Sequence, residues 1–526
     1  MIGRVFQALQ MAQMVSAMKP RKAASYEAPR LANTDPMEGM AAASELSRYQ
    51  YKDGSFYLGD IHSDHGVNFK AGINDDRHIF LAAGNAGGKG RSIIINNLLR
   101  WEGGTVNLDL KGELCSITAM RRGTDETARG SGTSVRQFLE HEVIALDPFK
   151  QVEGAATVYR ANYNPLGDID IKSDNAQAQI KKIAAACVVP MEGKNQWISD
   201  DASIILGGAI EAVLATEKPV NQTLPFVAEL VTGDFEKLID DLLSRDNLPV
   251  KGMAQAANRL LEDSLDGNER GYYKSCLVQN LIWLSEPQIR EHLTASETSV
   301  KRIVQSGGDV FISVPPNRVD DLKGWLRLIV QTCINAKVEL GVYQETTPTL
   351  FVLDEFAQLG KFAEIEKNAA FIRGYNCKML CVIQNIGQIK QHYDKNWETF
   401  LGNAGAIIGF ATNDLETEEY LANRTGKIMA WETSTSIGTS SSDQGIQGGT
   451  GNSKTVSQAL RERQVRRHNE IHEECARDTM KGLVIPADGK PFFIQRKNYD
   501  DIPIKGIFDS PDFIRNWERN YSRGGR

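Results

Sequence analysis

No apolar run in this chain approaches the roughly 18 residues that a membrane-spanning helix needs, so the sequence holds no transmembrane segment of its own. Cysteine is sparse. The seven cysteines, at 115, 187, 276, 333, 377, 381 and 475, are odd in number and include no CxxC pair. That argues against a disulfide framework and points to a reducing compartment. Cys377 and Cys381 fall in one strand-like run and read as core residues. An excess of positive charge is also missing. With 60 Lys and Arg against 67 Asp and Glu, the net charge of −7 excludes a surface that coats nucleic acid broadly, and any such contact has to be local. There are no internal repeats. What remains is ordinary globular composition, 41% hydrophobic and 24% charged, over 526 residues, a length that suggests about three domains.

Two motifs carry chemistry, and they lie far apart. Ile79-Phe80-Leu81-Ala82-Ala83 is an apolar strand that runs into Gly84-Asn85-Ala86-Gly87-Gly88-Lys89-Gly90-Arg91, followed by a helical run over Ser92–Leu99. Such a layout cradles phosphate on backbone N–H groups at a helix N-terminus, with the lysine reaching the phosphate oxygens. The match to G-x-x-x-x-G-K-[ST] is incomplete: Ala83 stands where the first glycine belongs, and Gly90 replaces the hydroxyl residue. The second motif, Leu350-Phe351-Val352-Leu353-Asp354-Glu355, puts two carboxylates at a strand's end. In a nucleoside triphosphatase of this architecture Asp354 steadies Mg²⁺ and Glu355 orients water. Either motif alone reads equally well as a plain turn or a solvated strand end. Together, each in the right strand–turn context, they predict a phosphate-binding site.

The pattern between them predicts an insertion. From about 50 to 185 strands alternate with helices, including Thr105–Glu113, a strand that ends in the polar groups of Asp109-Leu110-Lys111-Gly112-Glu113, and Val143–Phe149. That alternation reads as a parallel sheet with crossover helices. From about 190 to 300 strand signals largely stop. Ser199-Asp200-Asp201 reads as the cap of a helix carrying Ile204, Ile205, Ile210, Val213 and Leu214, and helical patterns follow at Phe235–Ile239, Ala254–Leu261 and Lys274–Leu284. Strands return at Asp309–Val314. The expected organisation is an N-terminal segment and linker over 1–48, a nucleotide-binding part over 49–188, an all-α domain over 189–300 and a second nucleotide-binding part over 301–526. Within the last, residues 432–459 are rich in Ser, Thr, Gly and Gln and read as a mobile loop.

Other features admit two readings each. Met1–Met18 has Ile2, Val5, Phe6, Leu9, Ala12 and Val15 at helical spacing, interrupted by Gln7, Gln10 and Gln13 and followed by Lys19, Arg21 and Lys22. The glutamines argue against a signal peptide. What is left is an amphipathic helix that docks on a partner or on anionic lipid, or a terminal helix packed on the body. His468 and His472 have helical i, i+4 spacing, but Glu470 is one position off the zinc-protease pattern and no third ligand is evident, which favours a polar helix. Arg461, Arg463, Arg466 and Arg467 form a basic cluster, either a solvated face or a contact with nucleic-acid phosphate.

In order along the chain, several motifs resemble the type IV secretion coupling proteins of the TraG/TraD group, the ATPases of bacterial conjugation. They are Gly88-Lys89-Gly90, Asp109–Glu113, Asn164-Pro165-Leu166, Val314-Pro315-Pro316-Asn317-Arg318, Leu353–Gly360, Arg373-Gly374-Tyr375, Gln384-Asn385, and Gly402-Asn403 through Thr412-Asn413-Asp414. The resemblance runs from about 55 to 505. It implies an α/β, RecA-like P-loop domain with a mostly parallel sheet, interrupted by an all-α domain and assembled as a homo-hexamer. It implies ATP and Mg²⁺ as cofactors, and as partners a relaxase, single-stranded DNA and the secretion-channel subunits. Relatives usually begin with transmembrane helices, so the resemblance also implies a separate membrane-anchoring subunit and a peripheral position at the inner membrane. Gln384, ending the strand Met379–Ile383, becomes a candidate γ-phosphate sensor, and Arg373 a candidate finger that reaches the nucleotide of an adjacent subunit. Two other readings stay open here: a docking receptor with weak or no hydrolysis, motivated by Ala83 and Gly90, and a double-strand DNA pump of the chromosome-segregation type.

Overall fold

In the computed structural model, the described residues are 39–62, 68–127, 138–191, 193–233, 243–244, 252–263, 268–342, 347–362, 365, 371–393, 396–441 and 450–501. The Met1–Met18 segment lies outside them, as does the expected helix at Phe235–Ile239.

Thirteen strands are described: β1 (Phe56–His62), β2 (Asn68–Ile73), β3 (His78–Ala83), β4 (Thr105–Leu108), β5 (Val143–Leu146), β6 (Asp309–Ile312), β7 (Thr349–Leu353), β8 (Cys377–Ile383), β9 (Ala404–Phe410), β10 (Lys427–Ser441), β11 (Thr450–Gln464), β12 (Lys481–Pro486) and β13 (Phe492–Gln495). Eleven form one sheet in the order β2-β1-β13-β12-β9-β3-β8-β7-β4-β6-β5. From β9 to β5 all neighbours are parallel. The other four pair antiparallel and extend the sheet beyond β9. Every residue of β3 to β9 is buried, the mark of parallel strands covered on both faces, and their largely apolar runs reflect it, with Asn107 in β4 and Lys378 in β8 among the buried polar exceptions. Cys377 and Cys381 are buried in β8.

Between β5 and β6 the described residues hold helices and no strand. The helix Gln196–Thr216 is the hub of this all-α insertion, with twelve buried residues. It starts three residues before the expected cap. Ser199 lies inside the first turn, where its hydroxyl donates to Gln196 O (2.7 Å) and accepts the Met191 amide (2.9 Å). Buried Glu211 on this helix accepts the Ala254 amide (2.7 Å) at the start of the helix Gly252–Asp263. Burial raises the Glu211 pKa, and the amides at that helix N-terminus oppose the rise.

At the amino ends of the strands a buried network ties the sheet to its helices. Asp309, which opens β6, accepts the Thr105 amide and hydroxyl (both 2.8 Å), His141 Nδ1 (2.9 Å) and Arg122 Nη2 (2.9 Å). Arg122 also donates to Leu98 O (2.6 Å), Trp101 O (2.9 Å) and Gly103 O (2.6 Å). Burial pushes the Asp309 carboxyl up, but Arg122 and His141 outweigh it, and the net pKa is lowered.

Residues 39–40 and 425–465 form a second compact unit. Strands β10 and β11 pair antiparallel over their full fifteen residues, Lys427 opposite Gln464 and Ser441 opposite Thr450. At 432–441 and 450–459 this corrects the expectation of a loop, and 442–449 lie outside the described residues. A hairpin needs no core to pair its backbone, and the Thr- and Ser-rich run over 433–441 is compatible with a strand.

Replacing Asp309 by Asn should leave Arg122 buried without its counter-charge and destabilise the sheet unit by about 3–5 kcal/mol. Because the folded pKa of Asp309 is lowered, its contribution is present above the ordinary carboxylate range and is lost as pH falls through the folded value. Urea unfolding of parent and variant over a pH series should show a gap that closes in acid. A gap that widens in acid would contradict this assignment.

Candidate functional site

Parallel register brings the carboxyl ends of β3, β8, β7 and β4 to one edge. Ala82 lies opposite Ile383, and Leu353 lies opposite both Cys381 and Leu108. The residues that follow, Gly84, Gln384, Asp354 and Asp109, therefore emerge side by side, where ligands bind in open α/β sheets. A cavity of about 620 Å³ opens there, within the size range of small-ligand sites.

The loop after β3 is shaped by close approach. The Gly84 amide donates to Ala411 O (3.2 Å), and a Cβ on Gly84 would stand 2.4 Å from that oxygen. Glycine is thus required at 84, while Ala83 is still a buried strand residue. The departure noted at Ala83 is a one-residue displacement of the glycine that matters. Ala86 and Gly88 have φ of 55° and 86° and bend the loop. Among the described residues the amides of Asn85, Ala86 and Gly88 make no backbone hydrogen bond, so they can face an anion. Lys89 caps a π-helical turn over Gly90–Ile94 that continues as the α-helix Ile95–Arg100, so the helix begins ahead of the expected Ser92. Single π turns recur at functional sites. Arg91 also lines the cavity, where its guanidinium pairs with Asp500 and its carbonyl accepts the Tyr499 amide (2.9 Å).

The ammonium of Lys89 lies between the two carboxylates of the second motif, 3.3 Å from Asp354 Oδ1 and in contact with Glu355 Oε1. Gln384 Nε2 donates to Glu355 Oε2 (2.7 Å). Glu355 itself has φ 57° and ψ 45°, a left-handed conformation that costs a non-glycine residue about 1 kcal/mol or more. Burial raises the Asp354 pKa; Lys89 lowers it and Glu355 raises it further.

Lys89, Asp354, Glu355 and Gln384, named from sequence, are thus in one cluster, and Asn85 to Arg91 line its cavity, with Gly84 at the base of the loop. Arg373 is not brought to it. It lies in the turn Ile372–Tyr375 ahead of β8, at the opposite edge of the sheet, half-exposed, with Nε 3.4 Å from Asp76 Oδ2. The site also contains residues that sequence reading left without a role. Asp109 lines the cavity, accepts the Cys115 amide (2.8 Å) and has a pKa raised to about 7, mainly by burial. Its strand-end motif with Lys111 and Glu113 was the available signal. Arg477, Met480 and Asn498 line the cavity from the far end of the chain, and no local pattern marks them. Elsewhere, His472 pairs with Glu418 (2.7 Å). Arg466 is buried over the Phe493 ring with an ion pair to Glu474 (3.4 Å), which removes it from any surface phosphate contact. No described helix is long and apolar enough to cross a membrane.

Known proteins are similar to this chain. Residues 21–499 match the family described as type IV secretory system conjugative DNA transfer. The chain is 26% identical over 367 residues to protein VirD4 of Rhizobium rhizogenes, covering 68% of this chain and 50% of that protein. It is 24% identical over 380 residues to the conjugal transfer protein TraG of Escherichia coli, covering 67% and 55%. It therefore spans about half the length of the curated relatives it matches. Among solved structures, the conjugative coupling protein TrwBdeltaN70 superposes with a TM-score of 0.60 at 15% identity, over 87% of this chain and 92% of that one. TrwB in complex with ADP and Mg²⁺ gives 0.59 at 14% identity, over 89% and 95%. The α/β RecA-like fold with its all-α insertion is shared with them. With a family match over most of its length, the chain belongs to the type IV secretory system conjugative DNA transfer family, as a coupling protein of the TraG/VirD4 group.

Proposed function

We propose that this chain binds and hydrolyses ATP with Mg²⁺ to recruit a relaxase–DNA substrate to a type IV secretion channel and to help move single-stranded DNA through it. The observation that carries the reading is the meeting of Lys89, Asp354, Glu355 and Gln384 at the carboxyl ends of three adjacent parallel strands. The amides of the 84–90 loop suit a phosphate chain, and the related TrwB has been solved with ADP and Mg²⁺ and with a non-hydrolysable ATP analogue.

The roles follow from the geometry. Lys89 exchanges its two carboxylates for β- and γ-phosphate oxygens, which frees Glu355. Asp354 would hold Mg²⁺ through its coordination shell, which would supply charge neutralisation for the transferring phosphoryl group. Glu355, fixed by the Gln384 amide, orients water and takes its proton. Gln384 connects that base to the strand next to the loop strand and reports the γ-phosphate. The working state is a homo-hexamer at the cytoplasmic face of the inner membrane, held there by a separate anchoring subunit and in contact with channel subunits. The acidic whole, at −7, restricts DNA contact to local basic groups and makes it salt-sensitive.

Lys89→Ala should weaken ATP binding, whereas Glu355→Gln should bind ATP and lower turnover by at least about 100-fold, the range of a positioned general base. Nucleotide affinity and phosphate release, with Mg²⁺ and single-stranded DNA present, check both. Parental turnover by Glu355→Gln would refute the assigned base. No hydrolysis by the parent would favour a docking receptor.

Arg373 is proposed as a finger in trans. It is half-exposed, away from its own chain's site, and beside exposed Phe371, so it is available to a neighbour. A guanidinium supplied by a neighbouring subunit is worth about 10³–10⁵ in rate. Arg373→Ala should bind ATP and assemble but hydrolyse poorly. Mixing it with Glu355→Gln should restore activity, because some interfaces then join an intact Glu355 to an intact Arg373. Full activity of assembled Arg373→Ala would make the residue structural.

A further inference from the structure

We propose that Arg496, which follows β13 near the end of the described chain, is the positioning residue of the phosphate loop and supplies positive charge beneath it. This rests on the nucleotide reading of the cavity.

Arg496 is 1% exposed, and its guanidinium lies over the Phe410 ring, 3.8 Å from the centroid. Nη1 donates to Gly87 O (2.8 Å) and lies 3.4 Å from Ser92 Oγ, while Nε donates to Lys481 O (3.2 Å). Nη2 is buried without a hydrogen-bond partner, and no carboxylate pairs with the group among the described residues. The loop is close enough that a Cβ on Gly88 would stand 3.5 Å from Nη1.

Two consequences follow. For the loop amides to face an anion, its carbonyls must turn outward, and an outward carbonyl buried under the loop needs a donor. Arg496 is that donor for Gly87. Without it the Gly87 peptide can turn its oxygen toward the phosphates. The second consequence is electrostatic. An unpaired buried guanidinium is costly, and an anion nearby offsets that cost. Lys89 already faces Asp354 and Glu355, so its charge is locally balanced. Arg496, held by carbonyls and a ring alone, is not balanced, and a phosphate chain in the loop supplies the missing negative charge. Attachment runs through β12 as well. The Arg496 amide donates to Met480 O (2.7 Å), and Met480, itself at φ 54°, lines the cavity. A segment some 400 residues after the loop, by sequence numbering, therefore sets its shape.

The test is ADP affinity in Mg²⁺ buffer, by calorimetry on the full chain, for the parent, Arg496→Met and Arg496→Lys, each with a thermal melt. Arg496→Met keeps length and removes charge and donor. It should weaken ADP binding by about tenfold or more, the scale of one charge acting across a protein interior. Arg496→Lys keeps the charge and should stay within about threefold of the parent. A merely structural role would move both variants in proportion to their melting temperatures, and that result would overturn the proposal. Parental affinity in a folded Arg496→Met would overturn it too. If Arg496→Met does not fold, Arg496→Lys decides, with a tenfold loss counting against the charge. A parent that binds no ADP would bring down the nucleotide reading itself and this inference with it, whereas a binding parent with unchanged variants removes only the role of Arg496.

Discussion

Lys89 held between Asp354 and Glu355 is the contact on which the site depends. It exists because β3 and β7 flank β8 in parallel register, so that a loop and an acidic strand end far apart in sequence meet at one edge. A slip of one residue in either pairing would turn every side chain of a strand to the other face. The left-handed backbone of Glu355 and the Gln384 amide fix which way the carboxylate points. In the function we propose, this cluster holds a competition, in which the lysine leaves the carboxylates for a phosphate and the carboxylates then become available for metal and water.

The opposite edge of the sheet is built differently. There Arg122 and Asp309 are fully buried and paired with one another, with neighbouring carbonyls, a hydroxyl and a histidine around them, and only Arg122 Nε is left without a partner. At that edge the central charges pair with one another, whereas the other edge gathers Lys89, Asp354 and Glu355 around an open cavity. The all-α insertion leaves from β5 and returns at β6, so its roughly 160 residues enlarge the molecule at the β5 end of the sheet and leave the β3–β8–β7 centre unbroken.

Much of this was legible in the chain. The apolar runs at 79–83, 105–108, 143–146, 309–312 and 350–353 read as buried parallel strands because strands covered on both faces need not alternate. Lys89, Asp354 and Glu355 read as a site because each stands at the end of such a run or of the Gly-rich turn that follows it, and Gln384 joined them through the family resemblance. What was not legible had non-local causes. The glycine at 84 is demanded by Ala411, a partner from another strand end. The hairpin over Lys427–Gln464 pairs backbone to backbone, and a composition poor in large apolar groups conceals it. Arg496 and Met480 reach the loop only through the antiparallel strands that close the sheet beyond β9. The helix start at Gln196 was missed because Ser199 carries a capping side chain yet spends it on Gln196 and Met191.

The central claim is that the Lys89 cluster is a nucleotide site whose lysine changes partners. A crystal structure of the full chain with Mg²⁺ and a non-hydrolysable ATP analogue tests it most directly. The account predicts the phosphate chain over the 84–90 loop, Lys89 Nζ on phosphate oxygens, Asp354 facing the metal and Glu355 released toward the γ-phosphate. A nucleotide bound away from this loop, or Lys89 still tied to Glu355 with the analogue in place, would contradict it.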